Sequence, residues 1–415
     1  MSKLEVDKVT PQSGTTLTIG DSGDTTNIVG TLQNNGGALP GVTLANGADN
    51  RVTTATGASA LNGEANLTFD GSTLTLAGNI SANGGTVKLD GNYPTGDNNV
   101  ALGDSALDSG SLSGANNVAI GFSALTSNTS GASNTVVGRS AMSTNTTGAC
   151  NVAIGQNALL QNTTGGLNVA IGRFALDNNT TASCNTAVGY ESLGANTTGA
   201  NNTSMGMCSL FANTTGEQNT AVGVCSLNAN TTGSRNVAFG RHALDTNVSG
   251  NSNTAIGDQS LFANTASNNT ALGFYSMADN TSGASNTGLG QNALSNNTTG
   301  NQNVAVGADS MVDNTTGCDN VALGDNALQK NTTGLDNVAL GANAIFTKTT
   351  GNGNIGIGRN ALYYTTTASS NVAIGYNAMV TNTTGASNTA IGNESLYSNT
   401  TGCCNVAVGC VALGA

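Results

Sequence analysis

The feature that most constrains this chain is a 17-residue repeat that begins at Asn99 and continues to Ala415. Its pattern is N-[VT]-A-[ILV]-G-x-x-[AS]-[LM]-x-x-N-T-T-G-x-x, and the opening asparagine is position 1. The repeat occurs nineteen times, and sixteen of the eighteen intervals are 17 residues; the first is 18, and that from Asn253 to Asn269 is 16. A fixed short period predicts a solenoid, in which each coil packs only on its neighbours.

The composition of the repeat favours β-structure within each coil. Gly, Asn and Thr are poor helix formers, and the apolar residues are Val, Ile and Leu in short runs. In the second coil we expect a strand from Val118 to Ile120, a bend at Gly121, and a second short strand around Ala124 and Leu125. The N-T-T-G segment supplies the return turn, because Asn and Gly tolerate left-handed backbone angles. The predicted fold class is an all-β, repetitive β-solenoid or β-roll.

Six repeat positions have expected structural roles. The large apolar residues at positions 4 and 9 are predicted to form the core, and the small residues at positions 3 and 8 indicate close packing. The glycine at position 5 indicates a positive φ or a close backbone approach. The asparagine at position 1 can form an amide ladder between coils about 4.8 Å apart. In three representative coils the residues at positions 1, 4, 5 and 9 are Asn117, Ile120, Gly121, Leu125, Asn219, Val222, Gly223, Leu227, Asn320, Leu323, Gly324 and Leu328.

Composition limits the other possibilities. The chain has 415 residues, of which 4% are aromatic and 57 are glycine, so a thin, repetitive core is expected rather than a thick one. Charged residues make up 8% of the chain, and the 11 Lys and Arg are scattered, so no nucleic-acid partner is expected. The N-terminus lacks the apolar stretch of a signal peptide, and no run of eighteen apolar residues occurs, so we expect cytoplasmic synthesis and no membrane insertion.

Two residue classes invite functional interpretations that we weigh against structural ones. The N-T-T and N-T-S triplets are glycosylation acceptors only in a secretory pathway, so we interpret them as a turn with a Thr ladder. The eight cysteines occupy variable repeat positions without a C-x-x-C motif, and we expect free thiols. Cys208 and Cys225 share position 7 on adjacent coils, within disulfide range but with unfavourable side-chain directions.

Residues 1–98 differ from the repeats and form a separate predicted region from residues 99–415. Short strands are expected at residues 15–20, 65–80 and 85–91, with Asp70-Gly71 as a hairpin signal between the alternating pairs Leu67/Phe69 and Leu74/Leu76. The segment 34–60, rich in Gly, Ala, Asn and Thr, is interpreted as a linker or a loosely wound stretch.

The opening M-S-K-L-E-V-D-K-V-T-P-Q-S-G-T-T-L-T-I-G-D-S-G-D-T and the later N-L-T-F-D-G-S-T-L-T-L-A-G-N-I resemble the N-terminal portions of bacteriophage tail-fibre and related appendage proteins, those of marine and cyanobacterial phages in particular. The N-V-A-I-G-x-x-A-L repeats resemble those of phage fibres and, at a shorter period, the head β-rolls of trimeric autotransporter adhesins. The resemblance implies a homotrimer of thin β-rolls around a common axis, attached to a virion through the N-terminal region.

Catalysis is not expected. Polysaccharide-cutting spikes need paired carboxylates in a cleft, whereas Glu191, Glu217 and Glu394 are on distant coils, and Asp309 and Asp313 lack an aromatic floor. The single histidine, His242, is interpreted as a solvated surface residue. No phosphate-binding loop and no calcium-binding D-x-D-x-D spacing is present. No cofactor and no metal site is predicted.

The predicted function is therefore that of a structural fibre protein of a phage virion, a trimeric rod that positions or contributes to host-surface attachment. Expected partners are other virion proteins at the N-terminal region and a host surface receptor. The chain ends within its nineteenth coil on the apolar Val411 and Leu413, so a capping or distal fibre protein is expected there. The alternatives are a bacterial cell-surface adhesin, an ice-binding solenoid that uses the Thr pairs, and a polysaccharide-degrading spike.

Overall fold

A computed structural model describes residues 51–57, 60–69, 74–76, 98–347 and 350–414, with side chains in the last two ranges. The chain divides into two compact units, Met1–Val87 and Lys88–Ala415. Regular structure in the described part is entirely β-strand. The strands are β1 (Arg51–Gly57), β2 (Ala60–Phe69), β3 (Leu74–Leu76), β4 (Val100–Leu102), β5 (Val118–Ile120), β6 (Thr135–Val137), β7 (Val152–Ile154), β8 (Val169–Ile171), β9 (Thr186–Val188), β10 (Thr203–Met205), β11 (Thr220–Val222), β12 (Val237–Phe239), β13 (Thr254–Ile256), β14 (Thr270–Leu272), β15 (Thr287–Leu289), β16 (Val304–Val306), β17 (Val321–Leu323), β18 (Val338–Leu340), β19 (Ile355–Ile357), β20 (Val372–Ile374), β21 (Thr389–Ile391) and β22 (Val406–Val408).

The repeats form a β-solenoid, which confirms the predicted fold class. Strands β4 to β22 pair in parallel and in chain order, one strand per coil. The register is constant: Val118 of β5 pairs with Thr135 of β6, and both are at repeat position 2. A fixed period places each repeat position directly above its counterpart, so equivalent residues always meet.

The predicted second strand of each coil is wrong. Ala124 and Leu125 lie in a turn that follows the bend at Gly121. Ser123 and Leu125 have φ values of 53° and 54°, in the left-handed region, and alternate residues in that region cannot form an extended strand. The turn is instead held to the next coil, since the Leu125 amide donates to the Ala141 carbonyl at 3.0 Å.

The core of the solenoid is formed by repeat positions 3, 8 and 9. Ala119, Ala124 and Leu125 are fully buried, as are their counterparts along most of the solenoid. Side chains alternate along a strand, so an inward position 3 directs positions 2 and 4 outward. The prediction that position 4 contributes to the core is therefore wrong: Ile120 and Val222 are partly exposed, and Leu323 is 49% exposed.

The irregular intervals are absorbed in turns and leave the strands in register. The 16-residue interval shortens the return turn, where the Ala266 carbonyl accepts from the Asn253 amide side chain at 2.8 Å. The Asn269 backbone amide still donates to the Asn253 side chain at 3.0 Å, so the stacking continues through the deletion.

The N-terminal unit contains an antiparallel sheet in the order β1-β2-β3. Phe69 pairs with Leu74 and Leu67 with Leu76, which confirms the predicted antiparallel pairing, while the connection 70–73 is outside the described residues. Strand β1 pairs with β2, so the interpretation of segment 34–60 as a linker is wrong for Arg51–Gly57. The strands predicted at 15–20 and 85–91 also lie outside the described residues.

Candidate functional site

The asparagine at position 1 closes each coil and joins it to the next. Asn117 is fully buried, and its Nδ2 donates to the Gly131 carbonyl of its own coil at 3.0 Å. Its Oδ1 accepts from the Asn134 backbone amide at 3.0 Å and from Asn134 Nδ2 at 3.1 Å. Asn219 and Asn320 make the same contacts with Gly233 and Gly334. The side chain therefore satisfies buried backbone groups that would otherwise be costly to desolvate.

A second asparagine ladder, at position 12, is absent from the sequence-based interpretation. Asn145 is fully buried, and its Nδ2 donates to Asn128 Oδ1 of the previous coil at 2.8 Å and to the Gly148 carbonyl at 3.0 Å. The N-T-T-G asparagine thus has the role of a buried ladder as well as that of a turn residue. Asparagine recurs at position 12 in nearly every complete repeat, and this recurrence indicates a buried side chain. A solvent-exposed turn would also tolerate Asp, Ser or Gly at position 12.

The glycine at position 5 combines a positive φ with a close approach of the next coil. Gly121, Gly223 and Gly324 have φ values of 132°, 134° and 138°. A Cβ on Gly223 would lie 2.5 Å from the Gly240 carbonyl oxygen, well inside van der Waals contact. Both observations exclude any other residue without a local distortion of the stack.

The threonine at position 13 forms the third ladder. The Thr146 Oγ1 donates to the Thr163 carbonyl at 3.0 Å, and the same contact joins Thr163 to Thr180. These hydroxyls are engaged between coils, in agreement with the interpretation of the triplets as a turn with a Thr ladder. The position-14 threonines, such as Thr147 and Thr164, are the exposed members of each pair.

The outer face of the sheet carries a continuous apolar row, which we call the position-4 stripe. Its exposed members include Phe239 at 55% and Leu272 at 50%. Other members of the row are partly buried. The stripe consists of Leu102, Ile120, Val137, Ile154, Ile171, Val188, Met205, Val222, Phe239, Ile256, Leu272, Leu289, Val306, Leu323, Leu340, Ile357, Ile374, Ile391 and Val408.

Of the acidic residues considered from the sequence, Glu191 is not isolated. Asp177, at position 10 of the preceding coil, and Glu191, at position 7, line the same notch of about 240 Å³. Burial raises the pKa of the Asp177 carboxyl, and the nearby Glu191 carboxylate raises it further. Stacking of adjacent coils brings these two residues together although they are 14 positions apart in the sequence. The pair is not visible within a single repeat because each repeat contains only one of the two residues.

The remaining candidate acids make only local contacts in the described part of the chain. Asp309 accepts from Asn292 Nδ2 at 2.9 Å, and Asp313 lies 3.4 Å from the Lys330 ammonium on the next coil. Glu217 is exposed and Glu394 is partly exposed. The structure brings none of these four residues into the notch with Glu191.

His242 is only partly solvated, contrary to the interpretation from the sequence. Its Nδ1 lies 2.9 Å from Asp245 Oδ2, and its side chain is 30% exposed. Position 7 of the preceding coil holds Cys225, whose pKa is raised by burial and by the Asp245 carboxylate. A raised pKa keeps this thiol protonated, so it is not an activated nucleophile.

The eight cysteines are all free. In Cys208, burial raises the thiol pKa, and Cys225 and Glu191 raise it further. Cys404 has a raised pKa through its hydrogen bond with Cys403. Within residues 98–347 and 350–414, no three His, Cys, Asp or Glu side chains are grouped so that they could hold a metal ion.

The sequence matches no protein-family model and no curated protein. The described residues also contain no helix with the length and apolar character needed to span a membrane.

Proposed function

We propose that this protein is a structural fibre protein of a phage virion, in which three solenoids associate along their position-4 stripes into a rigid rod. The rod positions or contributes to host-surface attachment, and the N-terminal region binds other virion proteins. The single observation that carries the proposal is the combination, in one solenoid, of an unbroken parallel sheet with an unbroken apolar stripe on its outer face.

Rigidity follows from the continuity of hydrogen bonding along the axis. Each coil is joined to the next by strand pairing, by bonds between turns, and by the ladders of Asn and Thr. Nineteen strands at about 4.8 Å per coil give a rod roughly 90 Å long. A solenoid of this kind has few internal hinges because every coil makes the same contacts, which suits a spacer between a particle and a surface.

Association follows from the apolar stripe. Burial of the exposed half of one Leu or Phe side chain contributes about 1 kcal/mol, and the stripe offers one such side chain per coil. A rotation axis parallel to the rod keeps the N-terminal ends of the three solenoids together, as attachment to a particle requires. Closed cyclic symmetry of this kind buries the stripe without open-ended assembly, and the resemblance to phage fibres and adhesin heads favours three subunits.

The experiment that tests the function is electron microscopy of phage particles labelled with an antibody against the repeat region. The antibody should bind at a thin projection of the particle. Labelling of the bacterial cell surface in uninfected cells would instead support the adhesin alternative. Absence of label on particles that contain the protein by mass spectrometry would contradict an exposed fibre.

A further inference from the structure

A notch interrupts the surface of the solenoid between the coils that begin at Asn168, Asn185 and Asn202. It arises at position 10, where Gly194 lies between Asp177 of the preceding coil and Phe211 of the next. Because Gly194 has no side chain, a gap of about 240 Å³ remains, lined by Phe174, Asp177, Asn178, Glu191, Gly194 and Phe211. The regular repeat does not require glycine at this position, since Leu160 and Val312 occupy it elsewhere.

The walls of the notch are aromatic and anionic. An added Cβ on Gly194 would meet the Phe211 ring at 3.3 Å, so this ring lies directly beside the glycine. Phe174 supplies the second ring, and the Arg173 guanidinium already lies 4.5 Å from its centroid, in cation–π contact. Arg173 itself is not among the residues that line the notch.

The free hydrogen-bonding capacity of the notch consists of acceptors. Asp177 Oδ1 is buried and has no hydrogen-bond partner. The Glu191 carboxylate accepts a hydrogen bond from the Tyr190 hydroxyl and lies 3.9 Å from the Cys208 thiol, a weak donor, and its two oxygens can accept further hydrogen bonds. The Asn178 amide is already engaged, since its Nδ2 donates to the Gly194 carbonyl at 3.0 Å and its Oδ1 accepts from Gln161 at 2.7 Å. A buried carboxylate oxygen without a donor is unfavourable, so the notch is suited to a ligand that donates hydrogen bonds and carries positive charge.

We propose that this notch binds a protonated primary amine carried on a short apolar chain. The ammonium group donates to Asp177 Oδ1 and to the Glu191 carboxylate, while the alkyl chain packs on the Phe174 and Phe211 rings over Gly194. A neutral sugar fits less well, because its hydroxyls carry no positive charge to compensate the Asp177 carboxylate, whose Oδ1 has no hydrogen-bond partner. Binding at this place is independent of the fibre function proposed above.

The test is a titration of the full-length protein with n-butylammonium chloride, followed by ligand-observed NMR at constant chloride concentration. The wild-type protein should bind the amine saturably at one site per chain. Asp177→Asn preserves the volume but removes a charge, and should weaken binding about 10-fold or more. Gly194→Leu should abolish binding by filling the notch with a side chain that position 10 already accepts in Leu160.

Matched controls separate the site from general effects on the solenoid. Ser143→Leu introduces the same side chain at position 10 of another coil, and Asp279→Asn removes an exposed charge; both should bind like wild type. The neutral isostere n-butanol should bind at least about 10-fold more weakly than the amine. Circular dichroism and the melting temperature verify that each variant is folded. The proposal is overturned by absence of saturable binding, by equal binding of n-butanol, or by unchanged affinity in Asp177→Asn.

Discussion

At the scale of single residues, the solenoid depends on backbone angles that most side chains avoid. Glycine occupies position 5 with φ near 135°, as in Gly223, but positions 7 and 9 are left-handed without glycine, as in Cys225 and Leu227. A left-handed conformation of a residue with a Cβ costs about 1 kcal/mol or more. Full burial of Leu227 at the centre of the coil offsets this cost, which explains why position 9 combines strain with an invariably large apolar side chain.

The first prediction concerns Gly223. Gly223→Ala should lower the free energy of unfolding by about 2–3 kcal/mol, because the new Cβ meets the Gly240 carbonyl oxygen and the residue keeps a positive φ. Gly110→Ala is the matched control, since nothing lies within 4 Å of its added Cβ. Thermal unfolding of both variants measures the difference. Equal melting temperatures would show that the stack accommodates a side chain at position 5.

A second prediction concerns Ile345, the β-branched residue at position 9. Its φ is 49°, and β-branched side chains are the least compatible with the left-handed region. Ile345→Leu conserves volume and should raise the free energy of unfolding by about 0.5–1 kcal/mol. Ile357→Leu, the same change on strand β19, is the control and should not stabilise. A lower melting temperature for Ile345→Leu would mean that core shape, and not backbone strain, governs position 9.

At the scale of the coil, the sequence predicts the strand at positions 2 to 4 and the bend at position 5. It also predicts which residues of successive coils are in contact, because a fixed period stacks equivalent repeat positions on one another. It does not predict which side chains point inward. Ala119 and Ile120 are both apolar and adjacent, so they lie on opposite faces of the strand. The alanine is buried because its face of the strand is turned towards the core. The apolar run Ala124-Leu125 predicts a second strand, and this prediction is wrong because the left-handed φ angles at Ser123 and Leu125 depend on contacts with neighbouring coils. The notch arises from three coils together, so no single repeat reveals it.

The third prediction uses the carboxyl pair between two coils. Burial and Glu191 raise the pKa of Asp177, so its ionised form is unfavourable in the folded state. A raised folded pKa favours folding below the unfolded value of about 3.9, and this contribution is lost as the pH rises through the folded pKa. Asp177→Asn should therefore raise the melting temperature at pH 7 but not at about pH 3. Asp279→Asn should leave it unchanged at both. The same melting temperature for wild type and Asp177→Asn at pH 7 would contradict the account.

At the scale of the whole molecule, the core of the solenoid is filled, but an apolar row remains exposed on its surface. Positions 3, 8 and 9 are buried along most of the solenoid, whereas the position-4 stripe remains in contact with water along the sheet. The large apolar residues at position 4 predict a contribution to the core of a single chain. In the structure position 4 lies on the outer face of the sheet. Its apolar character in every coil therefore favours the proposed association between chains.

The measurement that tests the central claim most directly is sedimentation equilibrium of the full-length chain at micromolar concentration. Association along the position-4 stripe predicts a mass of three times 40.8 kDa. The double variant Phe239→Ser and Leu323→Ser should shift the mass toward the monomer, while Thr147→Ser and Thr164→Ser, on the return turn, should leave it unchanged. A wild-type mass of 40.8 kDa would contradict the trimeric rod.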